Sequence, residues 1–159
     1  MNREMTSSEL KNEILDFLKE HISASLATCL NDIPRSSPVQ YFLGNDMDIY
    51  ILSAGGEKFK AIEKNNNICL LVNSEYISYR KIRGVQIFGT ATTSIEDISL
   101  KDEAHKYCPD HYLHNNEDLK VIKISPREIV YLDSIDKGNR TKQILRNDEV
   151  LIKDEPMLV

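Results

Sequence analysis

Short polar turns separate a series of brief apolar segments, and this spacing restricts the possible folds more than any other feature of the sequence. Period-two alternation and short apolar runs predict strands, and segments 31–34 and 44–46 between them have the composition of turns. Because a parallel crossover needs a dozen residues or more, such short links favour antiparallel pairing. The six predicted strands cover residues 23–30, 35–43, 49–52, 68–72, 81–93 and 119–132. A mainly β fold, either a small barrel or a sandwich, is therefore expected.

Helical signals are fewer than strand signals. Residues 6–9 (TSSE) resemble a capping box and precede apolar residues at helical spacing, which predicts an amphipathic helix over residues 8–20. A second helix is predicted over residues 57–65, and a loop with a short helix follows the fifth strand. Within that fifth strand, Gly84 and Gly89 predict curvature or a bulge, as a barrel corner requires.

Residues 48–64 carry the clearest functional signal. A buried strand leads into Ser53-Ala54-Gly55-Gly56, where two glycines permit a tight turn and the close approach of another group. The helix that follows begins with unpaired N–H groups, which favour an anion together with the helix dipole, and Lys58 adds a positive charge there. This arrangement predicts a phosphate-binding site. The alternative is an ordinary strand, turn and helix with an exposed lysine, as many small domains contain.

Composition and charge argue against several classes of protein. With 159 residues, the chain is most simply one domain, residues 1–159. Its net charge of −5 argues against a nucleic-acid-binding protein, which normally presents a basic face. No apolar run approaches the ~20 residues of a membrane span, and the polar N-terminus does not resemble a secretion signal. The widely spaced Cys29, Cys69 and Cys108 fit reduced thiols in the cytoplasm better than a disulfide framework.

Four segments of the chain have the order and spacing of a known family. They are HISASLATCLNDIPRSSPVQYFL (21–43), YILSAGGEKFKAIEKNNNICLLV (50–72), RGVQIFGTATT (83–93) and KISPREIVYLD (123–133). Together they resemble the FMN-binding split barrel of the pyridoxamine 5′-phosphate oxidase-like family, and within it the small members that are similar to general stress proteins. The resemblance implies a six-stranded antiparallel Greek-key split barrel, with a core over roughly residues 8–134 and a polar tail at residues 135–159.

The resemblance also implies a homodimer with FMN in a groove between the two subunits. Lys58 and Arg35 would bind the phosphate. Residues 36–40 would lie beside the isoalloxazine ring, mostly through backbone groups, and residues 51–53 would form another wall. Gly84 occupies a position where the oxidases tend to carry a glutamine, and Gln86 on the same strand face would replace it. No catalytic side chain is implied, and the implied cofactor-binding residues are Arg35, Ser36, Ser37, Val39, Gln40, Ile51, Leu52, Ser53, Lys58 and Gln86.

Two departures from the oxidases bear on function. Glu57 precedes Lys58 where the oxidases have adjacent basic residues, and the chain has neither a tryptophan nor a counterpart of their substrate-binding C-terminal segment. Vitamin B6 oxidation is therefore not expected. The resemblance implies instead a cytoplasmic FMN-dependent oxidoreductase that takes electrons from a nicotinamide or another donor and passes them to a small molecule. The alternative is a protein that binds FMN, haem or another planar ligand on the same barrel without turnover.

Two further groups of residues carry weaker signals. Possible metal ligands recur every three residues, but Pro109 interrupts them and a spacing of three drifts around a helix, so solvated loop side chains are expected and no metal is predicted. Basic residues near the C-terminus are expected to form a solvated surface or, in a dimer, to approach the partner's cofactor. The possible metal ligands are His105, Cys108, His111 and His114, and the basic residues are Lys137, Arg140, Lys142 and Arg146.

Overall fold

The structure is a computed structural model that describes residues 4–79, 81–109, 119–135, 142–147 and 149–153. Within these residues the chain forms three helices and eight strands. No helix in these ranges is long and apolar enough to cross a membrane. The helices are α1 (Ser7–Glu20), α2 (Glu57–Lys64) and α3 (Leu100–His105). The strands are β1 (Ser23–Leu30), β2 (Ile33–Leu43), β3 (Ile49–Ser53), β4 (Asn67–Asn73), β5 (Arg83–Thr93), β6 (Lys120–Asp133), β7 (Lys142–Arg146) and β8 (Glu149–Lys153).

Six of the strands close into an antiparallel barrel. They follow the order β3, β2, β1, β4, β5 and β6, and pairing of β3 with β6 completes the ring. Two strands pair with the same edge of β6: β3 pairs with residues 120–124, and β7 pairs with residues 128–132. β8 extends the sheet beyond β7. The expected mainly β, antiparallel split barrel is confirmed.

The strand count is eight rather than the expected six, because the segment interpreted as a polar tail contains β7 and β8. In β7, Gln143 and Leu145 are buried, whereas the strand begins and ends with the charged residues Lys142 and Arg146. The alternation covers only five residues, and the charged residues at both ends make the segment look polar throughout in the sequence. The expectation of a tail without strands was therefore wrong.

β5 and β6 pair irregularly around Gly89. Phe88 lies opposite Glu128, whereas Gly89 lies opposite Pro126, so β6 carries one extra residue at this point. A Cβ at Gly89 would come within 2.3 Å of the backbone oxygen of Ser125. The predicted bulge is confirmed at Gly89, where the backbones of the two strands approach too closely for any side chain.

α1 packs against the barrel through one apolar face. Thr6 caps the helix as predicted: its hydroxyl accepts from the N–H of Glu9 at 3.1 Å, and the Glu9 carboxylate accepts from the N–H of Thr6 at 3.5 Å. This capping box fixes where the helix begins. The apolar face is at most 1% exposed and joins the barrel core; it consists of Leu10, Ile14, Phe17 and Leu18.

α3 covers the outer side of β3. A second, smaller core forms there between α3 and the neighbouring strands, and it contains Phe42, Tyr50, Leu100, Ala104 and Val121. The rings of Phe42 and Tyr50 stack with centroids 5.6 Å apart. β3 is therefore buried on both faces, as its continuous apolar sequence predicts.

Candidate functional site

A two-glycine turn joins β3 to α2 and forms the centre of the candidate site, which we call the cradle (residues 53–58). Gly55 and Gly56 have φ angles of 137° and 114°, a region that favours glycine over residues with a Cβ. The hydroxyl of Ser53 closes the turn, because it accepts from the N–H of Gly55 at 3.3 Å and lies 3.2 Å from the carbonyl oxygen of Gly55, to which it donates. The predicted strand, turn and helix are confirmed at this place.

The N-terminus of α2 has no side-chain cap, because its N-cap residue is Gly56. The first N–H groups of a helix have no acceptor within it, and an external anion can accept from them. In α2 the N–H of Phe59 already donates to the carbonyl oxygen of Gly56 at 3.2 Å, so the N–H groups of Glu57 and Lys58 are the ones that would face an anion. Lys58 lies in this turn, and its ammonium group donates to the carbonyl oxygen of Gly55 at 3.0 Å. The structure thus brings Ser53 and Lys58 together around one turn.

Lys120 adds a second positive charge to the cradle, and the sequence analysis missed it. It is the first residue of β6 and pairs with Ser53 across β3 and β6. Its ammonium group lies 3.3 Å from the position that a Cβ on Gly55 would occupy. The ammonium groups of Lys120 and Lys58 each lie 5.8 Å from the centroid of the Phe59 ring. The two cations therefore flank the same turn, although they are 62 positions apart in the sequence.

Glu57, the acidic residue that by the resemblance takes the place of a basic one, contacts another lysine, Lys60. Its carboxylate lies 3.2 Å from the ammonium group of Lys60, and both side chains are more than half exposed. A partner at this distance offsets part of the negative charge of the carboxylate. The substitution therefore weakens the positive character of the cradle less than the sequence alone indicates.

The predicted residues of β2 divide between the two faces of the strand. Pairing of β2 with β3 reaches Tyr41 opposite Ile51, and the same register continued by two residues would place Val39 opposite Ser53. Because side chains alternate along a strand, Arg35 and Ser37 project to the same face as Val39. Ser36 and Gln40 project to the opposite face, and both are exposed. The segment of β2 that holds Arg35 extends beyond the end of β3, towards the cradle.

Two predicted side chains of β3 are occupied by packing. Ile51 is completely buried in the barrel core. Leu52 packs against the smaller core beneath α3. At these two positions a ligand would therefore meet backbone groups rather than side chains, whereas the hydroxyl of Ser53 lies in the cradle.

Gln86 lies apart from the other predicted residues, on the outer face of β5. It lies three strands from β2 in the sheet order, roughly 14 Å at the usual spacing between strands. A groove of about 340 Å³ opens beside it, and the side chain of Leu71 in this groove is 39% exposed. We call this the sheet groove; its lining residues are Leu71, Asn73, Tyr76, Ile82, Gly84, Gln86, Val130, Leu132 and Lys142.

A cysteine lies next to Gln86 on the same face. Burial raises the pKa of the Cys69 thiol, and a hydrogen bond with the Gln86 side chain offsets part of this rise. A raised pKa keeps the thiol protonated at neutral pH, and the thiolate is the reactive form. Cys69 is therefore a packing residue of the sheet face.

A charged network beneath α3 holds the helix to the barrel. The hydroxyl of Tyr50 donates to the carboxylate of Glu103 at 2.8 Å, and the ammonium group of Lys123 lies 2.9 Å from that carboxylate. The hydrogen bonds from Lys123 and Tyr50 hold the pKa of Glu103 below its ordinary value. Burial, with the neighbouring Glu103, raises the pKa of Tyr50. These groups satisfy one another, and we assign them a structural role.

The possible metal ligands and the basic C-terminal residues fall only partly within the described residues. His111, His114, Lys137 and Arg140 lie outside them. His105 ends α3, and Cys108 follows α3 and packs against the smaller core. The described ranges contain no group of three or more side chains able to hold a metal ion. Of the basic residues, Lys142 lines the sheet groove and Arg146 contacts the Glu128 carboxylate.

Comparison with known families identifies the barrel. The family model for pyridoxamine 5′-phosphate oxidase matches residues 10–133, which is most of the chain. The chain belongs to the pyridoxamine 5′-phosphate oxidase family. The match contains β1 to β6 together with the cradle, whereas β7 and β8 lie beyond it. No curated protein matches the chain.

Solved structures share the fold of this family member at low sequence identity. General stress protein 26 from Bacillus anthracis str. Sterne is 24% identical with a TM-score of 0.60, and the match covers 77% of this chain and 93% of that one. A related protein from Clostridium acetobutylicum is 14% identical with a TM-score of 0.65, covering 91% and 98%. A FAD-binding protein from Mesorhizobium loti is 16% identical with a TM-score of 0.59, covering 74% and 90%. These similarities establish the fold.

The donor groups of the cradle fit the phosphate of a flavin, the cofactor that the family implies. The cradle combines a serine hydroxyl, the start of a helix and the ammonium groups of Lys58 and Lys120. Charge-assisted hydrogen bonds from such groups are the usual means of binding a phosphate. A Cβ at Gly55 would fill the space next to the Lys120 ammonium group, so glycine keeps this space open.

Proposed function

We propose that this protein binds FMN and acts in the cytoplasm as a flavin-dependent oxidoreductase on a small molecule. The proposal depends on the cradle, where the uncapped start of α2, the glycine turn and Lys58 lie together. The barrel that carries this cradle belongs to the pyridoxamine 5′-phosphate oxidase family. An uncapped helix start favours an anion, and a lysine at the same point favours it further. Three free cysteines are consistent with a reducing compartment.

In this proposal the residues of the chain bind and orient the cofactor. Lys58 and the first amides of α2 would hold the phosphate. Ser53 would donate its hydroxyl to the cofactor in place of its hydrogen bond to the Gly55 carbonyl oxygen. Arg35 would approach the same anion from β2, and the backbone of residues 36–40 would lie beside the ring. A bound flavin supplies hydride and electron transfer, while the protein sets its orientation and its electrostatic surroundings. No vitamin B6 oxidation is proposed, because the chain contains no tryptophan.

We also propose that the protein is a homodimer in which the sheet groove of one protomer faces the cradle of its partner. A row of side chains that is apolar except for Gln86 crosses the outer face of the sheet, and two of these side chains remain exposed, Leu71 by 39% and Leu151 by 42%. Extended apolar surfaces of this kind usually mark an interface. A dimer of this form would bring Gln86 to the cofactor, which it does not approach within one chain. Read from the strand registers, the row consists of Leu71, Gln86, Val130, Ile144 and Leu151.

Flavin binding is tested by titrating the purified protein with FMN and following the quenching of flavin fluorescence. We expect saturable binding, and we expect Lys58→Met to weaken it by at least about tenfold, since charged hydrogen bonds contribute roughly 1.5–3 kcal/mol. Lys64→Met, at the far end of α2, is the matched control and should bind as the unmodified protein does. A protein that remains colourless and never quenches FMN fluorescence would contradict the proposal.

The homodimer is tested by light scattering coupled to size-exclusion chromatography. Leu71→Asp places a charge at the β4 end of this row, on an exposed side chain, so it should convert the protein to monomers while the barrel stays folded. Ile98→Asp, at an exposed position outside the row, is the matched control and should leave the dimer intact. An unmodified protein that elutes as a monomer at all concentrations would contradict the proposed dimer.

Binding without turnover is a second candidate function. Among the residues that the structure describes, the sheet groove is lined by no histidine and no carboxylate, and its titratable side chains are Tyr76 and Lys142. Anaerobic mixing of the FMN-loaded protein with NADH or NADPH separates the two functions. Loss of flavin absorbance indicates an oxidoreductase, whereas an unchanged spectrum with both donors favours a binding protein. The visible spectrum of the protein as purified also distinguishes bound flavin from haem.

A further inference from the structure

We propose that Lys120 is the second phosphate-binding cation of the cradle and that it makes the site selective for a flavin with a terminal phosphate. This inference rests on the proposed function, because it assigns a residue to the phosphate end of the same site. Glu57, an acidic residue, precedes Lys58 at the start of α2, so the helix itself places only one positive charge next to the turn. Lys120 would supply a second positive charge from a different element, β6.

The position of Lys120 follows from the closure of the barrel. β3 and β6 pair from Ile49 opposite Ile124 to Ser53 opposite Lys120. The last pair of this ladder places Lys120 beside the residue that leads into the glycine turn. Its ammonium group reaches to 3.3 Å from the Cβ position of Gly55, so it lies directly over the turn.

Lys58 and Lys120 reach the turn from different elements. The ammonium group of Lys58 donates to the Gly55 carbonyl oxygen at 3.0 Å, and that of Lys120 lies 3.3 Å from the position of a Cβ on Gly55. Each is also 5.8 Å from the centroid of the Phe59 ring, which forms the apolar floor beneath both charges. A phosphate bound above the turn would thus meet one ammonium group from α2 and one from β6.

The charge balance at the turn favours an anion. Within the described part of the chain, neither Lys58 nor Lys120 forms an ion pair with a carboxylate. The nearest acidic residue in sequence, Glu57, is in contact with Lys60. Two like charges beside one residue repel each other, and an anion between them removes that repulsion. A phosphate monoester, which carries close to two negative charges at neutral pH, matches the two cations.

A simpler role for Lys120 is to pack against Phe59 and stabilise the start of β6. Cation–π contacts at partly exposed sites contribute modestly to stability. This role predicts that removing the charge affects every ligand of the barrel equally. Phosphate binding predicts instead an effect confined to ligands that carry a phosphate, so the two roles are distinguishable.

The experiment compares FMN with riboflavin, which has the same ring and ribityl chain but no phosphate. Both dissociation constants are measured on the full-length protein by fluorescence quenching, and the Kd of riboflavin divided by that of FMN isolates the phosphate contact. Lys120→Met should reduce this ratio about tenfold (1.4 kcal/mol) and leave the Kd of riboflavin within about twofold. Lys120→Arg keeps the charge and should retain most of the ratio. Lys64→Met removes the same charge from the exposed end of α2 and should leave the ratio unchanged.

Each remaining outcome is decisive. An unchanged ratio in Lys120→Met overturns the assignment of Lys120 and leaves FMN binding by the protein intact. Parallel weakening of FMN and riboflavin also overturns it, because Lys120 would then act through the packing of Phe59. If the unmodified, folded protein binds neither flavin, the proposed function falls together with this inference.

Discussion

Replacing Gly89 with alanine should destabilise the barrel, because the backbone of β6 occupies the space that a side chain needs. A Cβ at Gly89 would lie 2.3 Å from the carbonyl oxygen of Ser125 and 3.0 Å from the α-carbon of Pro126. Neither atom can rotate away as a side chain could, since both belong to a backbone that is paired with β5. The strands must therefore separate locally to admit one methyl group.

The size of the effect follows from two opposing contributions. Overpacking of a filled interior costs about 1–3 kcal/mol, and a clash with backbone belongs at the upper end of that range. Gly→Ala also reduces the freedom of the unfolded chain, which returns about 0.4–1 kcal/mol. The net loss in the free energy of unfolding is about 2 kcal/mol. With a urea dependence of about 2 kcal/mol per molar, the unfolding midpoint should fall by about 1 M.

Gly84→Ala is the matched control on the same strand. A Cβ at Gly84 would lie 3.6 Å from its nearest neighbours, which is an ordinary contact, so this variant should unfold at or slightly above the midpoint of the unmodified protein. Both variants are unfolded in urea at two protein concentrations, followed by circular dichroism, because association also raises apparent stability. Equal midpoints for Gly89→Ala and Gly84→Ala would refute the reasoning.

Two further substitutions test the capping box and the network beneath α3. Thr6→Ala removes the acceptor for the N–H of Glu9 and should cost about 1 kcal/mol, seen as a fall of about 3 °C in Tm, whereas Thr6→Ser should restore most of it. Glu103 has a pKa below its ordinary value of 4.5, so its contacts with Tyr50 and Lys123 stabilise the fold above that pH and are lost as the pH falls through the lowered pKa. Glu103→Gln should therefore unfold more easily than the unmodified protein at pH 6, and the gap between their urea midpoints should narrow towards pH 3; a constant gap would contradict this role.

Local patterns were sufficient to predict most of the barrel. The alternation in β1 and the apolar run of β3 each reflect contacts that a strand makes with its immediate surroundings, so they can be recognised in one segment at a time. The capping box at Thr6 and the glycine turn at residues 55–56 are likewise local, and the structure has both. β7 was missed because its buried residues are few and lie between charged ends.

The candidate site could be predicted only in part, because its completion depends on pairings between distant segments. Lys58 is recognisable from the turn and helix next to it in the sequence. Lys120 reaches the same turn through the closure of β3 against β6, which no local pattern specifies. Gln86 was predicted by resemblance to bind the cofactor, and within one chain the strand order places it three strands from β2. The residues that meet in the site are therefore hard to predict because the register between distant strands, and not the residue types, decides which of them come together.

The extra residue of β6 at the bulge reverses the phase of the strand. Before it, even-numbered residues such as Ile122 and Ile124 face the core, and after it odd-numbered ones such as Ile129 and Tyr131 do so. If Arg127 were instead paired opposite Phe88 in a regular ladder, the two sets would exchange beyond that point, with Tyr131 turned towards solvent and the intervening even-numbered side chains turned inward. One inserted residue thus determines which alternate side chains of β6 beyond the bulge face the hydrophobic interior and which face the outer surface of the sheet.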